Sequence, residues 1–174
     1  MNSFKARTVG QLKEVLFGGG ALPPDEEVVY YVILKPGENT TVIRPVMLGE
    51  EYPKTYGHFH EHQTEEKYFV AYGEGLLILQ EQDGLGTVSR FTAKAIRQGQ
   101  LVTIPGFAGH CLVNVRQSPL ITIDNSSPDL ETNDYEPIKS RHGFAYYFVT
   151  DQRGGWRAIP NPYYQDHPAV VREA

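Results

Sequence analysis

Residues 52–75, YPKTYGHFHEHQTEEKYFVAYGEG, hold three of the chain's six histidines, His58, His60 and His62. Two glutamates, Glu65 and Glu66, precede an apolar alternating run. His58 and His60 are two positions apart, so on a strand both imidazoles point to one face. The run after them places Glu66, Tyr68, Val70 and Tyr72 on one face and Lys67, Phe69 and Ala71 on the other. If Glu66 faces the interior, a carboxylate sits near two imidazoles. A buried glutamate without a partner is costly, so that placement calls for a cation.

A further ligand has to come from elsewhere in the chain. GQLVTIPGFAGHCLVNV (99–115) supplies His110, which shares a strand face with Leu112 and Asn114. Three histidines and a carboxylate suit a divalent transition ion with positions left open. His62 lies in the polar run EHQTEE, which reads as a loop, and His142 and His167 read as surface residues. Cys111 has the opposite parity to His110 and reads as a packing residue. Lys54 and Arg44 read as solvated charges.

Outward from this core the period is two. Segments 27–35, 40–48, 66–73, 75–82, 101–105, 110–115, 119–124 and 144–151 are rich in Val, Ile, Tyr, Phe and Thr and read as strands. Pro36-Gly37, Asp83-Gly84, Gly99-Gln100 and Gly154-Gly155 punctuate them. Many short strands of this kind predict a sandwich or closed barrel. One helix is predicted before them, capped by Thr8 with Gln11 as its capping-box partner, with Val9, Leu12 and Leu16 on one face. Gly18, Gly19 and Gly20 end it. The expected organisation is one domain: a helix and lead-in at 1–27, a barrel at about 28–151 and an extended tail at 152–174.

The bulk numbers agree with a globular protein. The chain has 174 residues, 40% apolar and 21% charged, with a net charge of −5. That balance, with no long basic run, argues against nucleic acid and anionic membranes as partners. No apolar stretch approaches the ~18 residues of a membrane span, and the first residues carry no apolar signal-peptide core. A single cysteine, Cys111, rules out an intrachain disulfide. These features fit a cytoplasmic protein.

The two histidine segments resemble the paired motifs of the cupins. His58, His60, Glu66 and Gly73 fit the first, with six residues between Glu66 and Gly73. Gly99, Pro105, His110 and Asn114 fit the second. Tyr52 stands in place of the first motif's glycine, and Phe107 in place of the second's. The spacer from His60 to Glu66 is five residues, one more than usual. Glu65 would shorten that spacer, but it spoils the count to Gly73 and does not share a face with Tyr68, so Glu66 is preferred.

The likeness extends from about residue 28 to 164. TTVIRPVMLGEEYPKTYGHFH (40–60), EKYFVAYGEGLLILQ (66–80), NDYEPIKSRHGFAYYFV (133–149) and NPYY (161–164) resemble the cupin form of glucose-6-phosphate isomerase. The resemblance implies an all-β, single-domain jelly-roll barrel, a cytoplasmic homodimer, and one divalent ion per chain: iron, nickel, manganese or zinc. It implies interconversion of glucose 6-phosphate and fructose 6-phosphate, a step of glycolysis and gluconeogenesis. Carried over by position, His58, His60, Glu66 and His110 would bind the metal, and Tyr30, Thr41, Thr55 and Gly57 the phosphate end. Tyr68 would contact the sugar, and Tyr135 and Asn133 would lie at the reacting end, with Glu66 the nearest base. The hydrogen moves between C1 and C2 by proton transfer or by hydride shift, and the sequence does not choose between them. Two positions depart from the family: Asn133 where a histidine is usual, and Ser127 where a tyrosine is usual. Alternative readings are another metal-dependent cupin enzyme, such as a dioxygenase or epimerase, and a non-catalytic sugar-binding cupin.

Overall fold

A computed structural model describes residues 3–61, 65–125, 133–151 and 153–174. In chain order the elements are β1 (Ser3–Thr8), the one-turn helix α1 (Val9–Leu12) continued by a 3-10 turn (Lys13–Val15), β2 (Val28–Lys35), β3 (Glu38–Ile43) and β4 (Phe59–His60). Then follow β5 (Glu66–Tyr72), β6 (Glu74–Gln82), β7 (Val88–Arg97), β8 (Leu101–Ile104), β9 (Gly109–Val113) and β10 (Leu120–Asp124). The last are β11 (Asn133–Asp134), α2 (Glu136–Lys139), β12 (Tyr146–Thr150), β13 (Trp156–Pro160) and β14 (Val170–Glu173).

The fold is the expected all-β jelly roll. A six-stranded sheet runs β1-β2-β3-β10-β5-β8, and a four-stranded sheet runs β14-β7-β6-β9. They share one apolar core, in which Ile43, Val70, Ile78, Phe91, Leu112 and Leu120 are buried. Among the described residues hydrogen bonding does not run continuously around the two sheets, which are joined by packing and by single bridges. One of these, Lys54↔Val113, ties the segment before β4 to β9, and His58↔His110 is another.

The N-terminal segment differs from expectation. Residues 3–8 form a strand, paired antiparallel with β2 from Ser3↔Leu34 to Arg7↔Tyr30. The helix is a single turn, although its capping box is present, with the Thr8 N–H donating to Gln11 Oε1 at 3.0 Å. It stops before the glycine run because Lys13–Val15 tighten into 3-10 geometry, burying Val9, Leu12 and Val15. The segment 40–48 is strand only to Ile43, ahead of Pro45. The longest described strand, β7, had no strong apolar signal: Arg90, Lys94 and Arg97 interrupt it, although Phe91 and Ile96 are buried.

Lys54 is not a solvated charge. It is 5% exposed, pairs with Glu51 at 2.6 Å and donates to the Val15 carbonyl at 2.8 Å. Glu51 also accepts the Phe17 N–H at 2.7 Å, so the turn after α1 is clamped to the stretch that leads into β4. Burial pushes the Glu51 carboxyl up, and the Lys54 ammonium only partly offsets that. Arg44 is half-exposed and paired with Glu27. Cys111 is buried in the core, where desolvation pushes its thiol up to about 12.

Candidate metal centre

Strand parity and one bridge assemble the centre. His58 and His110 exchange two backbone hydrogen bonds, His58 N to His110 O at 3.2 Å and His110 N to His58 O at 2.9 Å. Their rings lie 4.4 Å apart between centroids. His60, two residues on, stacks on His110 at 5.1 Å. Glu66, the first residue of β5, brings its Oε2 to 3.2 Å from His110 Nε2 and 3.5 Å from His60 Nε2. One ligand atom from each of His58, His60, Glu66 and His110 lies within 4.8 Å of the others, so the four could hold a metal ion.

The chemistry of these groups fits an ion. Nε2 of His58 and Nε2 of His60 are buried and accept no hydrogen bond among the described residues. Burial holds His58 well below the usual imidazole range, and His110 and His60 push it further the same way. Burial also lowers His60, with His110 adding to the effect and Glu66 opposing it. Both are therefore neutral near pH 7, the form that ligates a cation. Such lone pairs are costly to bury without a partner, and a divalent ion would satisfy them.

A cavity opens from this cluster between the sheets. Tyr68, buried, bonds His110 Nε2 through its hydroxyl at 3.1 Å, and burial beside Glu66 and Asp124 pushes that hydroxyl well up. Tyr135 lies against His58 and Tyr56, at 5.7 and 5.5 Å between ring centroids. Asn133 pairs across the β4–β11 ladder with His60 and donates to the Tyr135 hydroxyl at 3.3 Å. Tyr30, Thr41, Thr55 and Gly57 line the same cavity.

Their positions follow from local structure. Thr41 alternates with outward Thr40 and Val42 on β3. Thr55 Oγ1 accepts the Leu112 N–H at 3.1 Å, which fixes the approach to β4. Gly57 has φ +82°, and a Cβ there would lie 2.3 Å from the Phe144 ring and 3.0 Å from the His110 carbonyl. Only glycine fits there without strain. The Tyr30 hydroxyl accepts the Tyr56 N–H at 3.3 Å, and burial pushes it up to about 12. His62 and Ser127 lie outside the described residues.

Four polar groups in the cavity were not anticipated: Lys5 and Arg7 from β1, Asn39 from β3 and Asp124 from β10. Asn39 Nδ2 donates to Asp124 Oδ1 at 3.1 Å. Asp124 has the parity of buried Thr122, and Asn39 that of Thr41, so alternation alone pointed them inward. Lys5 and Arg7 alternate with Phe4 and Ala6 in SFKART, a signal hidden by the short strand.

Comparison with known proteins gives the family. The glucose-6-phosphate isomerase (GPI) family model matches residues 35–165. A putative glucose-6-phosphate isomerase 1 of Rhizobium meliloti is 29% identical over 79% of this chain and 65% of that protein. Glucose-6-phosphate isomerase of Pyrococcus furiosus is 30% identical over 71% of this chain and 61% of that protein. The chain thus spans just under two thirds of the length of these curated relatives. Among solved structures, recombinant oxalate oxidase with glycolate aligns at TM-score 0.43 and 17% identity, over 74% of this chain and 52% of that one. The Drosophila melanogaster CENP-C cupin domain aligns at 0.44 and 12%, over 55% of this chain and 63% of that one. With three quarters of its length under the family model, the chain belongs to the glucose-6-phosphate isomerase family.

Proposed function

We propose that this chain interconverts glucose 6-phosphate and fructose 6-phosphate as a metal-dependent cytoplasmic isomerase, acting as one domain. One observation carries the reading: a single cavity is lined by His58, Glu66 and His110 of the four-residue ligand group and by the hydroxyl-bearing Tyr30, Thr41, Thr55, Tyr68 and Tyr135. That combination suits an open-chain sugar phosphate, whose carbonyl oxygen a metal can take and whose hydroxyls and phosphate oxygens the side chains can hydrogen-bond. The group suits iron, nickel, manganese or zinc. When bound, such an ion polarises the substrate's carbonyl oxygen.

The chain's own residues do the rest. Thr41, Thr55, Gly57 and Tyr30 receive the phosphate end and fix the distance to the reacting carbons. Tyr68 and Tyr135 flank the sugar. Glu66, 4% exposed, is the carboxylate closest to the three imidazoles, and a proton route between C1 and C2 would use it. The surrounding tyrosines and the sheet interior exclude water, which strengthens every charge interaction in the cavity.

The active species is proposed to be a homodimer. The outer face of the six-stranded sheet is apolar: Phe4 (63% exposed) stacks on Tyr31, and Leu101 is 66% exposed beside Phe69. A contiguous apolar face of this kind marks an interaction surface, and a second copy would cover it.

The test is direct. Purified chain, loaded in turn with each of the four metals, is supplied with fructose 6-phosphate, and glucose 6-phosphate is followed by a coupled dehydrogenase. Isomerisation that disappears on chelation and returns with metal supports the reading. No turnover with any of the four, at full metal content, overturns it.

A further inference from the structure

Strand β1 brings two cations to the cavity that the proposed function leaves unused. Arg7 pairs across the ladder with Tyr30, and Lys5 with Val32, which in turn faces Thr41 on β3. Both are thus delivered to the rows of the sheet that carry the Tyr30 and Thr41 hydroxyls, and both line the cavity. Arg7 is half-buried and Lys5 exposed, so the first sits deeper and the second nearer solvent.

Neither cation forms an ion pair among the described residues, whereas Arg44 and Lys54 are each paired with a glutamate. The Arg7 guanidinium instead lies against the Tyr30 hydroxyl, where its charge opposes the effect of burial, and its field also reaches Tyr56. Glu66 and Asp124 line the same cavity, but neither forms an ion pair with Arg7 among the described residues, so its guanidinium, beside hydroxyls, is open to an anion from outside. Arginine presents planar paired donors to a phosphate, and lysine a compact charge. A dianion held only by hydroxyls would be left largely uncompensated in a water-poor site.

We propose that Arg7 and Lys5 form the cationic half of an anion subsite that receives the phosphoryl group of the substrate. Arg7 makes the direct paired contact beside Tyr30, and Lys5 adds charge at the mouth. The identity of the anion as a sugar phosphate rests on the isomerase reading; the subsite itself rests on strand register and charge. Because both residues sit on an edge strand, changing the side chain leaves the β1–β2 backbone ladder in place.

The experiment uses the metal-loaded full chain with two probes, inorganic phosphate by titration calorimetry and fructose 6-phosphate by steady-state kinetics. Variants are Arg7→Gln, Lys5→Gln, the double variant and Arg7→Lys. Lys35→Gln, at the exposed β2–β3 hairpin, controls for net charge. Arg7→Gln should weaken phosphate and raise KM together by roughly 10- to 100-fold, the range for losing a charge-assisted contact. Metal content and kcat should change little, Arg7→Lys should recover part of the loss, and Lys35→Gln should match the wild type. Unchanged phosphate affinity and KM in the double variant overturn the proposal, as does a wild type that binds no phosphate. If the wild type binds phosphate but does not isomerise, the isomerase reading falls. Loss of phosphate binding in Arg7→Gln then still supports the subsite, and its retention refutes it.

Discussion

Asn133 lies directly opposite His60 in the two-residue ladder between β11 and β4, with its amide donating to the Tyr135 hydroxyl. The resemblance leads one to expect a histidine at this position. An amide can hydrogen-bond but cannot shuttle a proton. Isomerisation by the wild type is therefore expected to be slow. Asn133→His should raise kcat, by up to the roughly 10²-fold at the lower end of what a positioned acid–base group contributes. Steady-state assays of both proteins check this, and an Asn133→His variant no faster than the wild type would mean that residue 133 has no proton to move.

Metal content reads out the centre separately from activity. Replacing His58, His60 or His110 with alanine should strip most of the metal, since each offers one of the four ligand atoms clustered among the described residues. His62→Ala should retain it. Elemental analysis of the purified variants decides. Metal lost from His62→Ala and kept by His60→Ala would move the site to a different register.

The Glu51–Lys54 pair gives a stability prediction. Lys54→Met leaves a buried carboxylate alone and should cost about 3–5 kcal/mol. The Glu51→Met/Lys54→Met double variant should recover part of this, because no buried charge remains. The pH dependence has a definite sign. Burial raises the Glu51 carboxyl above its ordinary value of 4.5, so the folded state holds a proton that the unfolded state has lost. Stability from this group is present below that value and is lost as pH rises towards the raised one. The decline should be steeper in Lys54→Met, where the compensating ammonium is gone. Urea melts from pH 4.5 to 7.5 measure it, and a double variant as unstable as the sum of the singles would show that the two do not act as a pair.

The outer sheet face predicts assembly. Phe69→Asp with Leu101→Asp places two charges on the proposed contact and should convert a dimer to a monomer by light scattering at micromolar concentration. The secondary structure should not change, because both side chains point away from the core. A wild type that is monomeric at that concentration would defeat the proposal.

The centre was legible because its ligands obey short-range rules. His58 and His60 share a face by parity, and Glu66 was preferred over Glu65 by its count to Gly73 and its parity with Tyr68. His110 was legible from its spacing after Pro105. The cationic edge of the cavity was not. SFKART is a strand only because β2 lies beside it, and its charges face inward to the cavity, against the usual polar-outward pattern. Lys54 was misread for a related reason. Its burial depends on a glutamate three residues earlier and on a carbonyl 39 residues away, and only the second contact, with Val15, is a product of tertiary folding. β7 was missed because Arg90, Lys94 and Arg97 are spread along it, which dilutes the apolar signal without weakening the strand.

The two-way backbone bridge between His58 and His110 makes the ligand cluster a template rather than a flexible chelator. Main-chain hydrogen bonds fix the two backbones that carry these imidazoles. Exchanging one divalent ion for another therefore asks for little rearrangement of the polypeptide. Such a rigid nitrogen-rich site ranks ions by their intrinsic affinities. If the site takes a divalent ion, which one fills it would then follow from the metals in supply as well as from affinity.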